Sequence, residues 1–208
     1  MSVYNLSSEY ATGSNNIYLL SLFLFVFPEL GTVADIIIDS FYTSQTSWKK
    51  LNRLAELNRL QQNFPYTDTD LHQMLVAVID NRKVVGFCDV DARPCKTHPP
   101  LPRPYLSDLA VQPEYRRRGI AKSLVQRGEY FLQNVPHEEL FIRVEETNQA
   151  AISMYTGLGY ETVGIDKEKD KIIFRLWKKL DSDDDDKRKE ATSLHEFNAN
   201  ADDVENHK

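Results

Sequence analysis

The amino-acid sequence predicts a mixed α/β or α+β domain organised on one central sheet. Three observations lead there. The chain has 208 residues, 41% of them hydrophobic and 27% charged, which suits one well-buried globular domain and is short for two. Short β-rich runs alternate along it with longer stretches of helical periodicity. No segment repeats, and both ends differ in composition from everything between them.

An apolar run covers Ile17 to Phe27, broken only by Ser21, and stops at Pro28. It is too short to cross a bilayer, which needs about 20 residues. Its length is that of a signal-peptide core, but no Lys or Arg occurs before Lys49. Leu22–Phe27 therefore reads as a buried first strand, with a targeting segment as the alternative, and residues 1–21 stay outside the predicted domain. Val33–Tyr42 reads as a helix with Val33, Ile36, Ile37 and Phe41 on one face. Trp48–Phe64 reads as a second helix, in which Leu51, Leu54, Leu57 and Leu60 recur every third residue. That spacing falls short of 3.6, so its apolar stripe drifts around the helix. Leu71–Ile79 and Val84–Val90 flank the turn Asp80-Asn81-Arg82-Lys83 as a hairpin. The segment from Asp91 to Pro104 holds five of the nine prolines and cannot be a central strand.

Tyr105–Val111 is the next strand. Gly119–Gln133 is a helix whose inner face is Ala121, Leu124, Val125, Gly128 and Leu132. Leu140–Val144 is a strand, Ala150–Leu158 a helix, and Lys171–Trp177 a final strand after a charged turn near Asp166–Asp170. The predicted order is β-α-α-β-β-β-α-β-α-β-β. From Asp181 onward ten acids face four bases, so this tail carries the whole net charge of −6. Residues 1–180 hold 21 of each sign and sum to zero. With Leu194, Phe197 and Val204 as its large apolar residues, the tail 181–208 reads as solvated and disordered. The domain is thus placed at 22–180. Its neutrality, and the lack of an extended basic stripe, argue against nucleic acid as partner. Two cysteines, Cys88 and Cys95, make no disulfide framework and suit a reducing compartment. No Cys-x-x-Cys or His/Cys ladder supports a metal site.

The residues with chemical character fall in two groups. Val111-Gln-Pro-Glu-Tyr-Arg-Arg-Arg-Gly-Ile-Ala121 joins a strand to a helix. The first amides of a helix lack partners and the positive dipole end faces outward, which matches phosphate oxygens. Gly119 and Ala121 lack bulk there, and Arg116, Arg117 and Arg118 raise the local potential. Walker A and the dinucleotide glycine motif are both absent. One strand downstream stand Asn148, Ala151, Tyr155, Gly159 and Tyr160, with Tyr155 about two turns along its helix.

Together these groups resemble the GCN5-related N-acetyltransferase (GNAT) superfamily, over about residues 22–178. Arg116-x-x-Gly119-x-Ala121 looks like its pyrophosphate-binding motif, and Asn148-x-x-Ala151-x-x-x-Tyr155-x-x-x-Gly159-Tyr160 looks like its second coenzyme motif. The wording around Pro104-Tyr-Leu-Ser107 and Val144-Glu-Glu-Thr-Asn148 is similar to the cyanobacterial and plastid branch.

The resemblance implies a central, mostly antiparallel mixed sheet flanked by helices, and acetyl-CoA as co-substrate without a metal. It implies an acetyl-CoA pocket between strands Tyr105–Val111 and Leu140–Val144, which splay apart in this family. The backbone of Leu109, Ala110 and Val111 would pair with the pantetheine arm. Amides from Arg117 through Gly119, Ile120 and Ala121 to Lys122 would hold the pyrophosphate, with Asn148 touching the coenzyme arm. Tyr155 would face the thioester sulfur as general acid. The implied activity is N-acetyl transfer to a primary amine, preferably a protein N-terminus or lysine, with a small-molecule amine or a CoA-binding scaffold as alternatives. The branch implies a plastid location, against a cytoplasmic alternative. Some family members that act on protein amines carry a glutamate base on the fifth strand, twelve residues before the tyrosine; here that position is Arg143. Histone-modifying members place one early on the fourth strand, where this chain has Tyr105. Asp108, Glu145 and Glu146 are the carboxylates in the neighbourhood.

Overall fold

A computed structural model describes residues 18–21, 28–42, 46–65, 68–79, 83–94, 102–133, 135 and 137–180. Among the described residues, seven strands form one sheet in the order β1-β2-β3-β4-β5-β7-β6. The strands are β1 (Tyr18–Ser21), β2 (His72–Ile79), β3 (Lys83–Asp91), β4 (Tyr105–Val111), β5 (Glu139–Glu145), β6 (Glu161–Glu168) and β7 (Lys171–Lys179). Every neighbouring pair is antiparallel except β4 with β5. Helices α1 (Pro28–Phe41), α2 (Thr46–Asn63), α3 (Ile120–Leu132) and α4 (Gln149–Thr156) complete the predicted element order.

Among the described residues the first strand is Tyr18–Ser21, paired with Leu75–Val78 of β2, ahead of residue 22. The predicted strand Leu22–Phe27 lies outside the described residues. The tail 181–208 also lies outside the described residues. Helix α1 starts at Pro28, five residues earlier than its apolar face suggests, because proline's fixed φ suits the first helical position. The drift of leucines along α2 is real: Leu60 is fully buried whereas Leu51 and Leu54 are 56% and 61% exposed.

Two apolar layers sandwich the sheet. On one face Leu30, Val33, Ile36 and Ile37 of α1, with Leu60 of α2, pack on Met74, Val76, Phe87 and Ala110. On the other, Ile120, Leu124, Val125 and Leu132 of α3 and Tyr155 of α4 pack on Leu75, Cys88, Val90, Leu106, Val111 and Ile142. A side chain at Gly128 would bring its Cβ within 2.8 Å of Val90, so α3 sits against the sheet at a distance that only glycine allows. Cys88 is a free buried thiol held protonated by its burial; Cys95 lies outside the described residues.

Candidate functional site

The site originates in a defect of the sheet. The parallel pairing of β4 with β5 spans only Tyr105↔Phe141 and Leu106↔Ile142. Beyond Leu106 the strands part, although β4 continues to Val111 and β5 to Glu145. On its other side β4 stays paired to β3, but with a register shift: Asp89 faces Ser107 and Phe87 faces Ala110. Two residues, Asp108 and Leu109, thus stand opposite the single residue Cys88, which is a β-bulge. Asp108 has φ +54°, a left-handed conformation that aspartate tolerates better than most side chains. Because of the extra residue, Ser107 and Asp108 both project towards α1 and α2, while Leu109 packs on the α3 side. The segment Leu109-Ala110-Val111 is left with a backbone edge that β5 does not pair.

At the end of β4, Pro113–Tyr115 forms one 3₁₀ turn before α3. The Arg116 side chain donates from Nε to the Val111 carbonyl at 2.9 Å, closing the strand end. Arg117 has φ +62° and Gly119 φ +81°, so the backbone alternates in hand just before the helix. The amides from Arg117 to Lys122 have no backbone acceptor among the described residues. Such a run of outward amides is an anion cradle. Gly119 serves here through its φ; the space where its Cβ would project is open for 4 Å. Arg118 and Lys83 lie over the Tyr115 ring at 5.3 and 4.9 Å, adding cations around the cradle. Ile120 is buried as an anchor of α3, whereas Lys122 is exposed.

Tyr155 is positioned by local sequence. Helix α4 begins at Asn148, whose Oδ1 accepts from the Ala151 amide at 3.2 Å, so one end of this side chain is committed to capping. The helix ends with Gly159 at φ +87°, with the Tyr160 amide donating to the Tyr155 carbonyl and the Gly159 amide to Thr156. That is a Schellman motif, which brings its first and last side chains together. The two are Tyr155 and Tyr160, packed edge-on at 5.6 Å and 65°. Tyr155 is 4% exposed, and its hydroxyl has no hydrogen-bond partner among the described residues. Burial pushes its phenol well above the ordinary value, so it remains a proton donor across the physiological range. Tyr155 belongs to the apolar cluster that holds Leu106 and Val111 of β4 with Ile142 and Val144 of β5, the two strands that part.

Opposite the α3 face, sequence reasoning missed a network. Arg59 of α2 donates to Asp108 Oδ2 at 2.7 Å and to Glu56, one turn earlier on the same helix. The i, i+3 spacing of Glu56 and Arg59 was the visible signal; their convergence on Asp108, 49 residues away, was not. Burial raises the Asp108 carboxyl, outweighing the opposing pull of Arg59. Burial also pushes Tyr105 up to about 12. Arg143 bonds to Glu168 and lies 3.7 Å from Asp166. It is committed to β6. Glu145 is tied to Lys171, and Glu146 is exposed. Among the described residues no group of three His, Cys, Asp or Glu side chains could hold a metal ion, and no helix is long and apolar enough to cross a membrane.

Known proteins share this architecture. An N-alpha-acetyltransferase of Saccharolobus solfataricus is 32% identical over 128 residues, covering 56% of this chain and 74% of that protein. Human N-alpha-acetyltransferase 30 is 33% identical over 75 residues, and Arabidopsis thaliana GCN5-related N-acetyltransferase 5, chloroplastic, is 30% identical over 77. These two alignments cover 36% of this chain but only 19% and 24% of the relatives. Among solved structures, PH1933 of Pyrococcus horikoshii superimposes with a TM-score of 0.63 at 19% identity, covering 79% of this chain and 99% of that one. A Sinorhizobium meliloti phosphinothricin acetyltransferase in complex with AcCoA gives 0.60 at 15%, covering 79% and 88%. The profile of the Acetyltransferase (GNAT) family matches residues 34–160, from α1 through the Schellman turn. The chain belongs to this family of acetyl-CoA-dependent N-acetyltransferases.

Proposed function

We propose that this chain moves the acetyl group of acetyl-CoA to a protein N-terminal amine, with the lysine amine as the close alternative acceptor. The observation that carries the reading is the opening between β4 and β5, with a cradle of free amides at one end and Tyr155 beside it. In this reading the unpaired backbone of Leu109, Ala110 and Val111 bonds the pantetheine arm. Amides of Arg117, Arg118, Gly119, Ile120, Ala121 and Lys122 hold the pyrophosphate, and the side chains of Arg116–Arg118 add positive potential. The amide nitrogen of Asn148, not used in capping, reaches the coenzyme arm. Bound acetyl-CoA supplies a thioester carbon open to attack by an amine. Tyr155 gives its proton to the departing sulfur, which lowers the cost of expelling a thiolate.

The choice of acceptor rests on proton affinity. Only a neutral amine attacks, and an α-amine with a pKa of about 8 is partly neutral at pH 7. A lysine amine at about 10.4 costs roughly 3 kcal/mol more to deprotonate. Arg143, standing where some relatives of the protein-acetylating type carry glutamate, offers no help with that cost. The N-alpha-acetyltransferase relatives support the same choice. Peptides with free and with blocked N-termini test it: acetylation confined to the free α-amine is expected, and equal rates on blocked, lysine-containing peptides overturn it. For location we propose a plastid, supported by the branch resemblance and the chloroplastic relative. A C-terminal fluorescent fusion concentrated in plastids is the expected result; a uniform cytosolic signal ends the idea.

A further inference from the structure

We infer that Asp108, brought by the β4 bulge to the α2 side of the opening, is the group that takes the proton from the acceptor amine, with Arg59 as its positioning residue. The inference rests on the acetyltransferase reading above. Three observations carry it. Strict alternation along β4 would bury residue 108 among the apolar side chains under α3; the bulge carries it to the opposite face. It emerges where β4 leaves β5, beside the gap. Its carboxylate is held there by Arg59 at 2.7 Å, with the side chain 22% exposed, so one edge remains open to an incoming group.

Among the described residues, the charged and titratable groups around it come from four elements. They are Glu56 and Arg59 of α2, Tyr42 at the end of α1, Asp89 and Cys88 of β3, and Tyr105 of β4. Burial and the two neighbouring carboxylates raise Asp108, and Arg59 opposes them without cancelling the rise. A carboxylate raised in this way is a better base than a solvated one. It must be ionised to act, so turnover falls as pH drops through its pKa.

The proton count closes. Of the three ammonium protons, one passes to Asp108 and frees the nitrogen lone pair. That pair forms the N–C bond as the C–S bond breaks, and Tyr155 gives its hydroxyl proton to sulfur. A second ammonium proton then restores Tyr155, the third stays on the amide, and Asp108 releases its proton to water.

The test uses the full chain with acetyl-CoA and three acceptors: a peptide with a free N-terminus, an N-blocked lysine peptide and a small primary amine. Which acceptor the wild type prefers tests the proposed function. The ratio of variant to wild-type kcat on that acceptor tests Asp108. Asp108→Asn tolerates a left-handed backbone, and Asp108→Gly adopts it freely, so one or both fold; acetyl-CoA calorimetry selects those that do. A loss of about 10²-fold or more is expected at pH 7, with acetyl-CoA affinity retained. The deficit should shrink as pH rises past the amine's own pKa, because the amine then needs no base. Arg59→Met should move the acid limb of kcat/KM to higher pH, since it removes the cation that lowers Asp108. Unchanged turnover at pH 7, or a deficit that is constant from acid to alkaline pH, would overturn the assignment.

Discussion

Tyr155→Phe removes one oxygen and leaves the ring that packs edge-on against Tyr160. Fold and acetyl-CoA affinity should survive, while kcat falls by about 10²-fold, the scale of lost general acid catalysis. A stopped-time assay beside calorimetry measures both, and normal turnover would return Tyr155 to the core. Gly119→Glu sets a carboxylate against the positive end of α3 and strains a backbone at φ +81°. Acetyl-CoA affinity should drop at least tenfold in the folded variant, and an unchanged isotherm would remove the cradle from the site. Both residues were legible as motif positions. Their settings were legible only in part: Gly159 announces a helix end, but that the turn clamps Tyr155 on Tyr160 needs the two hydrogen bonds that Tyr155 and Thr156 accept. Asp108 was visible as a nearby carboxylate and not as a bulge residue, because a bulge is a mismatch between two strands and neither strand shows it alone.

At the scale of elements, the prediction worked where one face of a segment dominates. The α3 stripe and β4 came out at their observed limits or within a residue or two, since both bury a full face. The strand Tyr18–Ser21 went unforeseen because it is chosen by its pairing with β2, which its own four residues do not announce. In α2, a spacing of three foretold the drift that leaves Leu51 and Leu54 exposed, but not which end would be buried. Helix α3 offers an element-scale test at Gly128. Alanine there gains up to about 1 kcal/mol of helix propensity. It also drives a Cβ to within 2.8 Å of Val90, and overpacking costs about 1–3 kcal/mol. A net loss of about 1 kcal/mol is expected in chemical denaturation; a stabilised Gly128→Ala would show that α3 can move off the sheet.

For the whole molecule, Leu180 is the last buried residue among those described, its amide bonded to the Glu138 carbonyl at 2.7 Å. Cutting the chain after Leu180 should leave the melting temperature within a degree or two and turnover unchanged, because 181–208 has little apolar surface to bury. A large fall in either would show a docked tail. The bulge has a different kind of consequence, one of length. Leu106 and Leu109 lie on the α3 face and Ser107 and Ala110 on the other, so Asp108 is a single residue inserted into an otherwise regular alternation. Deleting it, or Ser107 on the same face, returns every remaining side chain of β4 to the face it already occupies. Such a chain, one residue shorter, should fold as a more regular sheet that no longer binds acetyl-CoA. The opening for catalysis would then amount to one residue of chain, and a count of residues between Tyr105 and Val111 would separate an enzyme from a closed sheet of nearly the same composition.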